Sequence, residues 1–240
     1  MKLRVLVAVA TFAVAAGGCA PGAPEISAAR GRALFQTKGE GGLSPSNLNR
    51  FACATCHDET APATPATIKP GAPLAGATLR ASFWGGAEND LLASINACRA
   101  HFMVAGTPLA ADDPDADALY AYLVSLEPGD GQPVPFTVMS TVVDVPRGDP
   151  VAGRARYDAA CASCHGTPHD GAGRIGPRVP VLPDQTITDH AGYSASLLRL
   201  VFLEKTRHGG FFGYGGDMPP FSLEVLSDEA LADILAALGQ

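Results

Sequence analysis

From Asp228 to Leu238 the chain reads DEALADILAAL, and Leu231, Ile234, Leu235 and Leu238 recur at the spacing of one helical face. Ser227 stands where an N-cap belongs, and Asp228 and Glu229 put negative charge in the first turn. The pattern predicts a closing helix with a defined start. DADALYAYLVSL at 115–126, introduced by Asp113 and Pro114, predicts another, and Asp149 followed by Pro150 opens a third. A further helix is expected over 88–102, where Leu91, Leu92, Ile95, Cys98 and Phe102 share a face. The segment 127–150, EPGDGQPVPFTVMSTVVDVPRGDP, has no helical period and reads as a linker, with a short extended stretch near Thr137–Val143.

These elements repeat. GRALF (31–35), CATCH (53–57) and the helix around Tyr120 are followed by GRARY (153–157), CASCH (161–165) and the last helix. The order is the same both times: a leading helix, a Cys-x-x-Cys-His motif, an irregular stretch, a closing helix. The period is about a domain long, which argues for a duplication rather than a solenoid. The fold class expected is all-α, as two tandem units spanning 25–127 and 148–240, joined through 128–147.

Residues 1–18 stand apart. Lys2 and Arg4 precede an apolar run from Val5 to Ala16, too short to span a bilayer and matching an export signal. AAGGC, ending at Cys19, resembles a bacterial lipoprotein cleavage box, in which the cysteine becomes the lipid-modified N-terminus; a plain signal cut near 20–23 is the alternative. The expected location is the periplasmic side of a bacterial membrane, with lipid on Cys19 as the anchor. The formal net charge of -7 and the absence of a basic stripe argue against a nucleic-acid partner.

The chemistry lies in the cysteines. In an exported chain, Cys-x-x-Cys-His reads as c-type haem attachment: two thiols add to the porphyrin vinyl groups and the adjacent histidine reaches the iron. Cys53, Cys56 and His57 are assigned to one haem, and Cys161, Cys164 and His165 to another, giving two covalent haem c groups. A zinc site needs further Cys or His ligands at matching spacing, which are absent, and a redox dithiol has no need of the histidine.

The second half resembles a class I cytochrome c domain over roughly 148–240, through GRARYDAACASCHG, Gly176–Pro177 and MPPF at 218–221. The resemblance implies that the Pro177 carbonyl accepts the bond from the ring of His165 and that Met218 is the sixth iron ligand. A thioether suits iron at cytochrome potentials, and the prolines stiffen its loop. His169, His190 and His208 are rival ligands. The first half resembles the same family less closely: seventeen residues, QTKGEGGLSPSNLNRFA, separate its leading helix from CATCH, and no Met-Pro pair follows.

Cys98 is the one cysteine left over. One reading is a thiol buried among apolar neighbours. The other is ligation of the first iron by its thiolate. IN-x-C at 95–98 with the later ALYAYL, over roughly 30–130, resembles the dihaem thiosulfate dehydrogenases and the cytochromes of the sulfur-oxidation complex. That resemblance implies His/Cys ligation and a small sulfur anion as substrate. The run after the cysteine, Arg99 to Met103, differs from the small polar run of those enzymes. Met103, His101 and Met139 are alternative ligands. Arg99 is a candidate anion contact or a solvated helix residue, and Trp84 a candidate haem-edge contact or a loop anchor. Electron transfer with redox partner proteins is the expected function. Sulfur-anion oxidation at the first haem and a redox subunit of a membrane-associated complex are the alternatives. No further nucleophile or carboxylate dyad forces an enzymatic reading.

Overall fold

A computed structural model describes residues 23–39, 41–44, 51–60, 67–104, 106–209 and 218–240. The signal segment 1–18 and Cys19 lie outside the described residues. Among those described, the chain is helical: α1 (Ala23–Gln36), α2 (Cys53–Cys56), α3 (Leu91–Phe102), α4 (Pro114–Ser125), α5 (Pro150–Ala160), α6 (Ala162–His165), α7 (Asp184–Asp189), α8 (Ala195–Arg207) and α9 (Asp228–Ala237). An isolated bridge between Phe83 and Glu88 is the β-pairing found among the described residues. None of the described helices is long and apolar enough to cross a membrane.

The predicted starts are where the caps put them. Asp113 accepts from the N–H of Asp115 at 2.8 Å, Asp149 from Val151 at 2.8 Å and Ser227 from Ala230 at 3.1 Å. Each such cap contributes about 1 kcal/mol. The helix expected from residue 88 begins instead at Leu91, because Asp90 caps it by accepting from Ala93 N–H at 2.7 Å.

The duplicated order becomes a duplicated packing. α1 lies against α4, and α5 lies against α9. The glycine of each GRA motif explains the closeness of both crossings. A Cβ on Gly31 would stand 2.0 Å from the Ala118 carbonyl oxygen, and one on Gly153 would stand 1.9 Å from that of Asp233. Polar ties reinforce both crossings. Arg30 pairs with Asp115 across the first. Buried Asp233 accepts from Asp149 N–H at 2.7 Å and pairs with Arg156 at 3.2 Å across the second. Leu34, Met103 and Leu119 belong to the first core; Tyr157, Phe202, Leu231 and Leu235 belong to the second.

The stretch expected to be extended near Thr137–Val143 forms no ladder. It runs as a strap held by both halves. Val134 N–H donates to Ala75 O at 3.3 Å on the first side. On the second, Thr137 N–H donates to Glu224 at 2.8 Å, and Arg199 donates to Asp144 and Val145 O, each at 2.8 Å. Its prolines and glycines leave backbone groups without a regular partner, so side chains of the neighbouring units take them. The halves also meet directly: Ile68 N–H donates to Ala159 O at 2.8 Å, and its side chain packs against the second core.

Gly31→Ala and Gly153→Ala are each expected to force one helix pair apart and to cost about 1–3 kcal/mol. Denaturant unfolding followed by circular dichroism, with hydrogen exchange reading each half, checks this, with each substitution loosening its own half first.

Candidate haem-attachment sites

Each Cys-x-x-Cys-His motif folds into one turn of helix. In α2 the backbone N–H of His57 donates to Cys53 O at 2.9 Å; in α6 that of His165 donates to Cys161 O at 2.9 Å. One turn brings both thiols and the histidine to the same side. All five motif and lone cysteines among the described residues are free thiols, available for thioether bonds or ligation.

Both histidine rings are oriented by a backbone carbonyl. His57 Nδ1 donates to Ala72 O at 2.7 Å, and His165 Nδ1 donates to Pro180 O at 2.9 Å. This fixes the tautomer and leaves each Nε2 with a free lone pair. Burial lowers both histidine pKa values, which keeps the rings neutral, as iron ligation requires. The carbonyl in the second half belongs to Pro180 and not to Pro177, as the resemblance had implied. A turn closed by Val179 N–H on Gly176 O, at 3.2 Å, carries Pro177 past the ring and delivers Pro180 instead. Gly71 makes the first ring's position possible: a Cβ there would stand 2.5 Å from His57 Cε1.

Cys53, Cys56 and His57 open onto a largely apolar cavity of about 330 Å³, and Cys98 lies on its wall. The α3 face predicted from periodicity arrives there through Leu91, Ile95, Cys98 and Phe102, while Leu92 turns to the first core. Burial pushes the Cys98 thiol up to about 12, with nearby Cys53 adding to the rise and Arg99 opposing it. A thiol so placed stays protonated unless a cation such as ferric iron takes the proton's place. Met103, only 2% exposed, also lines the cavity, whereas His101 is exposed and Met139 lies off the wall.

Around Cys98 the motif residues have separate tasks. Asn96 clamps the loop beyond the helix, donating to Leu109 O at 3.0 Å and accepting from Leu109 N–H at 2.8 Å. Arg99 is not a solvated helix residue. Its Nη1 donates to Asn96 Oδ1 and Thr107 O, both at 3.1 Å; the residue lines the cavity, and its Nε is buried without a hydrogen-bond partner. Trp84 is on the wall too, its ring centroid 6.1 Å from that of Phe102. Arg80 is a cavity residue that periodicity did not reveal, because it sits in the irregular stretch after the His57 loop and is held by donating to Val134 O.

The second half contributes to the same cavity. Pro219 and Pro220, next to Met218, stand on its wall. The attachment turns are near neighbours: with burial the larger cause, Cys98 and then Cys164 help to raise the Cys56 thiol above its ordinary range. Met218 packs against the second core. The rival histidines are tied locally through Nδ1: His169 to Asp184 at 3.0 Å, His190 to Thr186 O at 2.8 Å, and His208 to Glu204 at 2.7 Å.

These residues fit haem. Paired thiols stand beside a histidine with an oriented Nε2. The first motif adds an apolar cavity, and in it a buried guanidinium nitrogen lacks a partner that a propionate oxygen would supply.

Residues 148–236 match the family described as cytochrome c oxidase, cbb3-type, subunit III. No curated protein matches the chain. The matched segment is a cytochrome c domain, and such a domain holds covalent haem c and passes electrons to redox partners. That similarity, carried by residues 148–236, supports electron transfer through covalent haem in the second half.

Gly71→Ala is expected to push the His57 ring aside and to lower the covalent haem bound per chain. Haem content per chain, compared between this variant and the parent, reads the difference.

Proposed function

We propose that the chain is an exported dihaem cytochrome that relays electrons from a low-potential first haem, with His57 and Cys98 as ligands, to a higher-potential second haem, with His165 and Met218. The observation that carries this reading is the single cavity that brings Cys53, Cys56, His57 and Cys98 together and is walled in part by Pro219 and Pro220 of the other half. Methionine opposite histidine raises a haem potential. A thiolate adds negative charge, which favours ferric iron and lowers it. Electrons therefore run downhill from the first unit to the second. Arg80 and Arg99 are the cations placed to meet propionates at the first haem. Cys19 carries the lipid that holds the protein outside the cytoplasmic membrane.

Two further readings have support of their own. The family match over 148–236 favours a redox subunit of a larger membrane complex, tested by co-purification from solubilised membranes. Arg99 beside Cys98 favours oxidation of a small sulfur anion at the first haem, tested by thiosulfate turnover with an artificial electron acceptor.

Low-temperature electron paramagnetic resonance of the ferric protein tests the relay at Cys98. The parent is expected to show a thiolate-type low-spin signal beside a His/Met signal, and Cys98→Ala to lose only the former. Unchanged spectra would make Cys98 a buried thiol and remove the potential difference on which the relay depends. Haem content is a second check: Cys53→Ala with Cys56→Ala is expected to halve the covalent haem per chain.

A further inference from the structure

The end of α8 grips the segment that carries Met218. Arg207 is 1% exposed. Its Nη1 donates to the carbonyls of Phe221 at 3.2 Å, Ser222 at 3.3 Å and Leu226 at 2.7 Å, and its Nη2 donates to Asp228 at 2.6 Å. The neighbouring positions act on the same segment. Thr206 O accepts from Phe221 N–H at 2.8 Å. Gly209, at φ +59°, lies so close that a Cβ there would stand 2.1 Å from Met218 O and 3.1 Å from Pro220 N.

Burying a guanidinium is costly, and an apolar side chain of similar size serves packing alone as well or better. What an apolar residue lacks is a fork of donors. The backbone between Pro219 and Leu226 belongs to no helix or ladder, so apart from Ser222 O, which accepts from Leu226 N–H at 3.0 Å, its carbonyls have no regular partner. The planar guanidinium reaches three of them at once, and a lysine ammonium has no such fixed geometry. A neutral thioether is a weak ligand, so its hold on iron depends on being placed beforehand rather than ordered on binding.

We propose that Arg207 is a positioning residue for the second haem: it fixes the segment from Phe221 to Leu226 so that Met218, just ahead of that segment beyond Pro219 and Pro220, is presented to the iron held by His165. This rests on the reading of Met218 as the sixth ligand. Asp228, half-exposed at the start of α9, orients the arginine and joins the clasp to the closing helix.

Imidazole competes with methionine for ferric iron, and the sulfur-to-iron charge-transfer band reports the His/Met haem alone. The test titrates imidazole into full-length ferric holoprotein for the parent, Arg207→Lys, Asp228→Asn and Met218→Ala, and measures the potential of the second haem in each. Arg207→Lys is expected to lose the band at about tenfold lower imidazole, equivalent to about 1.4 kcal/mol of ligand hold, and to show a lowered potential. Asp228→Asn keeps the arginine but removes the carboxylate charge paired with its Nη2, and a smaller change in the same direction is expected. Met218→Ala is expected to lack the band from the start; if it keeps it, the ligand assignment fails and the clasp proposal falls with it. If Met218→Ala lacks the band while Arg207→Lys and Asp228→Asn match the parent in imidazole affinity and potential, Arg207 has no positioning role. Should Arg207→Lys not accumulate as folded holoprotein, Asp228→Asn decides alone.

Discussion

Two glycines set how closely the leading and closing helices of each half approach, and the rest of each unit is built from that distance. Gly31 faces the Ala118 carbonyl and Gly153 the Asp233 carbonyl, with no room for a methyl group at either crossing. The residues four positions on in the two motifs, Phe35 and Tyr157, then reach inward. Phe35 meets the Tyr122 ring at 5.6 Å on the first cavity wall, and the Tyr157 hydroxyl donates to Gly166 O at 3.0 Å, just beyond the second attachment turn. The crossing thus carries its influence from backbone contact to the floor of the haem site. The small hydrophobic side chains common in this chain suit such a design, because a covalent haem would supply much of the bulk that a core of this size otherwise lacks.

The halves share this frame and diverge in what stands opposite the motif histidine. In the second, a proline-stiffened segment bearing Met218 is clasped by α8. In the first, α3 runs along the cavity and offers Cys98 from a regular helix, with Met103 at its C-cap. A helix places a side chain with less freedom than a loop does, which suits a ligand that must arrive deprotonated in a dry site. The halves are not beads on a string. Ile68 reaches into the second core, the 128–147 strap is bonded to both, and Pro219 and Pro220 close part of the first cavity. A substitution near Met218 therefore reaches both sites.

Arg99 and Pro180 show how local reading and tertiary structure part company. By its place on a helix, Arg99 is an ordinary surface cation; the Asn96 clamp and the Thr107 carbonyl turn it along the cavity wall instead. Pro177 sits at the family's expected spacing from the motif, yet a four-residue turn shifts the working carbonyl to Pro180. Neither outcome has a local signal, because each depends on how a loop without periodicity closes.

The sequence by itself determined the helical class, the duplicated order, the caps at Asp113, Asp149 and Ser227, and both Cys-x-x-Cys-His motifs. All of these depend on spacings of a few residues, where backbone geometry leaves little choice. It also determined that Cys98 shares a face with Leu91, Ile95 and Phe102, since helical periodicity fixes which residues lie together. Only the tertiary structure decided where that face points: onto the cavity of Cys53, Cys56 and His57. Only it made Arg80 and Arg99 wall residues, made Arg207 a clasp, and set the second half's prolines against the first half's site. Those results depend on contacts between segments far apart in the chain, and such contacts are settled by packing and by the need to pair buried polar groups, neither of which a local pattern records.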